Sequence, residues 1–83
     1  MARRQILSFV MNVPGVSPEL DAVFPDAGEE FRSPVIGWAV VRRWMRIAGD
    51  DTPYEGIEPL IYGDEGCPEP AGDCDNFDRV EAS

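Results

Sequence analysis

The chain has 83 residues, a net charge of −9 and seven basic residues, all of them arginine. With no histidine, the commonest general base and metal ligand is missing, along with every Ser-His and Cys-His nucleophile. With no lysine, neither Schiff-base chemistry nor a phosphate-binding P-loop can be built. The acidic balance also argues against direct nucleic-acid binding.

The charge is unevenly spread. Met1–Gly49 holds six arginines against five acids, or +1, whereas Asp50–Ser83 holds eleven acids against Arg79, or −10. Arginine without lysine suits a GC-rich genome and a bacterial or phage source. A chain of this length forms a small, marginal core, so homodimerisation or partner binding is an ordinary expectation. The segment Met1–Pro14 has two arginines followed by an apolar run. Ser8 and Asn12 break the run, and it lacks a small-residue cleavage site. It reads as the first strand of a cytoplasmic protein rather than a signal peptide.

That strand covers Arg4–Val13, with Leu7, Phe9, Met11 and Val13 on one face. Pro14-Gly15 ends it. Ser17–Phe24 reads as a short helix, with Ser17 as its cap and Pro18 in its first position. Asp26–Gly28 is a turn, and Glu29–Arg32 extends the next element backwards.

The next element is the longest apolar run, Val35–Ile47, which holds Trp38 and Trp44. As a strand it is rich in β-branched and aromatic residues, apolar on both faces as far as Val41. As a helix it would start at Ser33-Pro34 and stop at Gly49. Gly37 and the β-branched residues favour the strand. Its length and three arginines exclude a membrane span.

Gly49–Gly56 reads as a loop of turn-forming residues. Ile57–Tyr62 reads as a returning strand, which Pro59 confines to an edge or a bulge. From Asp64 the composition becomes acidic and rich in Gly and Pro, with Phe77 and Val80 as its apolar anchors. This division makes residues 1–63 a small globular domain and 64–83 an acidic tail. The expected fold is α+β or mainly β: a small antiparallel sheet of about three strands, one short helix and an irregular acidic C-terminal tail.

The pairing of P-V-I-G-W-A-V-V, Pro34–Val41, with I-E-P-L-I-Y-G, Ile57–Gly63, resembles a hairpin in short uncharacterised actinobacterial and actinophage proteins. The resemblance implies the hairpin and brings neither an activity nor functional residues.

Few constellations suggest chemistry. The pairs Glu29-Glu30 and Asp50-Asp51 would point to opposite faces of a strand, so neither makes an acid–base dyad. Cys67 and Cys74 do not form a C-x-x-C motif, and two thiolates do not complete a zinc site. They are expected as free thiols, although a disulfide would close only a short loop. Asp73 and Asp75 open like a calcium loop, but Phe77 and Asp78 occupy positions that need an oxygen ligand and a glycine.

The expectation is therefore noncatalytic, cofactor-free and metal-free: a small acidic protein that binds another protein. Its contact residues would be Trp44 with Arg42, Arg43 and Arg46, since Trp and Arg dominate interface hot spots. The acids Asp64, Glu65, Asp73, Asp75 and Asp78 would meet a basic partner surface. The alternative is an acidic nucleic-acid mimic that inhibits a host defence or DNA-processing protein. The state of the acidic segment distinguishes the two, because a mimic needs its carboxylates rigidly held.

Overall fold

The computed structural model describes residues 4–83. The opening Met1–Arg3, part of the stretch tested above as a signal peptide, lies outside the described residues. The described chain is almost entirely β. Strands β1 (Arg4–Met11), β2 (Leu20–Asp26), β3 (Glu29–Pro34), β4 (Gly37–Ile47) and β5 (Asp50–Tyr62) follow one another. Then come β6 (Pro68–Pro70), a single 3-10 turn (Ala71–Asp73) and β7 (Arg79–Ala82). Two antiparallel sheets result, in the orders β1-β4-β5-β6 and β3-β2-β7. None of the helices of the described chain is long and apolar enough to cross a membrane.

Mainly β is thus correct, but several finer expectations are not, among them a single sheet of about three strands, since seven described strands form two sheets. The Ser17–Phe24 helix does not form, because Leu20–Asp26 is a strand at the centre of the smaller sheet. Its alternation explains why. Ala22 and Phe24 turn into the core, while Val23 faces outward, in register with Arg32 on one side and Arg79 on the other. Val23 is fully buried although it belongs to the outer face, where long arginine stems beside it can cover apolar surface. Period-2 burial on both faces outweighs a favourable helix cap.

Glu29–Pro34 pairs with β2 rather than extending β4. The expected Gly49–Gly56 loop is also absent. Strand β4 turns into β5 over Ala48-Gly49 alone, with Ile47 opposite Asp50. Strand β2 turns into β3 over the same dipeptide, Ala27-Gly28. All four turn residues have positive φ, between 51° and 88°, as the tightest hairpin turn requires. The helix alternative for Val35–Ile47 falls with this, since Gly37–Ile47 pairs along its whole length with β5.

The C-terminal segment is not an irregular tail. Its β6 extends the larger sheet beside β5, and its β7 extends the smaller one beside β2. Pro70 and Ala71 are buried, and Phe77 packs on Phe24 with ring centroids 5.7 Å apart. Tertiary contacts therefore order a stretch whose composition favours disorder.

The core has two parts. Ala22, Phe24, Val35, Ile61 and Ala71 pack together between the sheets, with Trp38, Phe77 and Val80 at their margin. Ala39, Val41 and Leu60 form the second part, with Ile6 and Ile36 beside them. Leu60 and Ile61 are neighbours in β5 but serve different clusters, because successive strand residues face opposite sides.

Candidate functional site

Among the described residues, strand β1 pairs with β4 as far as Arg4 opposite Arg43. The β4–β5 pairing continues for four more positions, from Trp44 opposite Pro53 to Ile47 opposite Asp50. Among the described residues, this end of the hairpin is a two-stranded arm. It carries a tryptophan, a methionine, an isoleucine and an arginine, and Met45, Ile47 and Tyr54 at its root are exposed.

Alternation sorts the predicted contact residues onto two sides. Arg42, Trp44 and Arg46 share one face of β4, and Arg43 and Met45 lie on the other. Arg42, Trp44, Pro53, Tyr54 and Glu55 line a shallow cleft of about 460 Å³. Arg42 reaches Glu55 at 3.4 Å, and Arg46 lies 3.6 Å from Asp51 on the exposed arm. Both are cross-strand partners, and surface pairs of this kind add little stability, so their side chains stay free to rearrange.

Arg43 differs in kind. Its Nε and Nη2 each donate to a Glu58 carboxylate oxygen at 2.7 Å, and Nη2 also donates to Asp73 at 2.9 Å. Asp73 in turn accepts from Arg4 Nε at 3.0 Å. The Glu58 carboxylate, followed by that of Asp73, holds the Arg43 guanidinium above its already high pKa against the opposing effect of burial. This network joins β1, β4, β5 and the 3-10 turn, so Arg43 and Asp73 are engaged inside the molecule.

Asp78 is likewise engaged, with Arg79 at 2.6 Å. Arg79 also reaches Glu30 and Glu81, and Arg32 reaches Glu81. Asp64, Glu65 and Asp75 enter no ion pair among the described residues, and all three are exposed. They flank the two cysteines. Cys67 is exposed and Cys74 half-buried, and both are free. Burial, followed by the charges of Glu69, Asp73, Asp64 and Asp75, pushes the Cys74 thiol up, away from the reactive thiolate. No group of three or more metal-ligating side chains gathers among the described residues.

Sequence reasoning missed the arm, because Gly49–Gly56 read as a loop. Its signal was present: Ala48-Gly49 repeats the dipeptide of the turn at Ala27-Gly28. Compared with known proteins, the chain matches no family model, no curated protein and no solved structure.

Proposed function

We propose that the chain is a noncatalytic protein-binding module that engages its partner with the β4–β5 arm. One observation carries this reading: Met45, Ile47 and Tyr54 are exposed together on one face of the β4–β5 hairpin end. Exposed apolar residues gathered on one face of a hairpin end gain from a partner that covers them. Arg42 and Arg46 flank Trp44, the composition that dominates interface hot spots. The setting we propose is the cytoplasm of a bacterium, or of a phage-infected one.

The test is affinity capture from lysate of the source organism with the wild-type chain, Ile47→Asp and Tyr54→Ala, and an arm shortened by residues 46–51. A partner retained by wild type and lost by all three variants supports the arm. Equal capture by every version, with the sheet intact by circular dichroism, overturns it.

One observation favours the acidic-mimic alternative. The segment that carries Asp64, Glu65, Glu69 and Asp75 is tied into the sheets by β6 and β7, which gives its carboxylates the fixed support a mimic needs. This reading expects the protein to compete with duplex DNA for a basic DNA-processing protein. It also expects amide substitution of those four acids to abolish the competition. An effect of Ile47→Asp with none from the amides returns the function to the arm.

A further inference from the structure

A sheet edge is an invitation to pair, and proteins blunt their edges with charge, proline or brevity. Three edges here are treated in that way. Strand β6 is the tripeptide Pro68-Glu69-Pro70. Strand β3 carries Glu29, Glu30, Arg32 and Pro34, and β7 has four residues, among them Arg79 and Glu81. The side of β5 that β6 leaves open, residues 50–59, holds four acids and two prolines.

Strand β1 is different. Its sequence RQILSFVM has no acid and no proline, and its charge is confined to Arg4 at one end. Among the described residues no strand pairs with its outer side. Phe9 is 64% and Val10 72% exposed. The Asn12 N–H donates to the Ile36 carbonyl, and this pair continues the β1–β4 register. Alternation then turns the backbone groups of Val10 toward β4, and those of Phe9 and Met11 outward.

From this edge we infer that β1 pairs antiparallel with β1 of a second copy, making a two-fold dimer with a continuous eight-stranded sheet. The occupant follows from the other edges. Among its described strands a second copy has no other unblunted edge to offer, and like-to-like pairing closes the assembly instead of propagating it.

The register is also determined. Residues opposite each other must share a face, and the outward groups belong to Phe9 and Met11. Phe9 then bonds Met11 of the second copy, and Val10 lies opposite itself on the axis. Centring on Phe9 instead would set Met11 against Leu7, where a bulge breaks the spacing of β1.

The test uses the axial residue, whose exposure makes it safe to change. Sedimentation of the full chain over a dilution series is expected to show a monomer–dimer equilibrium. Val10→Asp and Val10→Lys, each alone, are expected to abolish the dimer by placing like charges face to face. Mixing the two variants is expected to restore it as a heterodimer. Phe9→Pro, which removes an outward donor, is expected to give a folded monomer. A wild-type chain that stays monomeric with its sheet intact overturns self-pairing, while the arm reading, on another surface, stands. A dimer indifferent to both Val10 variants also overturns it. If that dimer is lost in Ile47→Asp, the arm is its contact.

Discussion

Arg43 grips Glu58 with two parallel hydrogen bonds of 2.7 Å, from neighbouring strands whose direct register partners are other residues. The pair is diagonal on one sheet face, with Arg43 opposite Tyr54 and Glu58 opposite Ala39. The Arg43 side chain is only 11% exposed. Losing one member leaves the other charge poorly solvated.

Glu58→Gln is therefore expected to cost about 2 kcal/mol, less than a fully buried pair because Asp73 still meets Arg43. Arg43→Met combined with Glu58→Leu is expected to cost less than the sum of the two single changes. Urea unfolding of the four proteins measures the coupling, and an additive result would show that the geometry has no energetic weight.

Acid should loosen the smaller sheet. Arg79 and then Arg32 hold the Glu81 carboxyl below its usual value of 4.5. A carboxyl depressed in the folded state contributes stability above its unfolded pKa and loses it as pH falls through the folded one. The melting temperature is thus expected to fall as pH drops below about 4.5. Glu81→Gln should flatten that fall and lower stability at neutral pH. A Glu81→Gln profile parallel to that of wild type would contradict the assignment.

The hairpin turns can be improved. Ala27 and Ala48 adopt φ of 52° and 51°, a region that alanine enters at a cost and asparagine tolerates. Ala27→Asn and Ala48→Asn each create the favoured Asn-Gly turn and should stabilise by about 0.5–1 kcal/mol. At this chain length that raises the melting temperature by roughly 3–6 °C, readable by thermal circular dichroism. A decrease would mean that these turns are not of the tight two-residue type.

The C-terminal segment should prove indispensable. Truncation after Gly63 removes β6, β7, Phe77 and Asp73, and is expected to abolish cooperative unfolding instead of releasing a stable domain. Phe77→Ala should cost about 2 kcal/mol, less than a fully buried phenylalanine. Cys74→Ser should be mildly destabilising, since Cys74 packs against the core, whereas exposed Cys67→Ser should be neutral. A truncated chain with a sharp melting transition would restore the tail description.

Several features followed from the sequence alone. The residue types absent from it exclude histidine and lysine chemistry wherever the chain folds. The β-branched run Val35–Val41, apolar on both faces, demands a strand covered on two sides, and β4 is that strand. Pro59 belongs where no N–H is asked of it. It lies opposite Trp38, whose own backbone groups face β1, and β6 pairs only from Leu60 onward. These are local or compositional constraints, independent of long-range partners.

Tertiary structure decided the rest. Ser17–Phe24 carries helix-start signals, yet Leu20–Phe24 becomes a strand because β3 and β7 pair with its two edges while Ala22, Val23 and Phe24 are buried. Cross-strand partners separated by some sixty residues leave no mark on a local pattern. The acidic segment looked like a tail because its anchors, Ala71 and Phe77, are isolated in sequence and become part of a core only with Phe24 and Ile61. Charge behaved similarly. Arg42, Arg43 and Arg46 appear equivalent in sequence, but alternation sends Arg43 alone to Glu58 and Asp73 and leaves the other two on the face of Trp44. Composition fixes how many charges there are; only the register of strands determines which of them meet inside the fold and which pair on its surface.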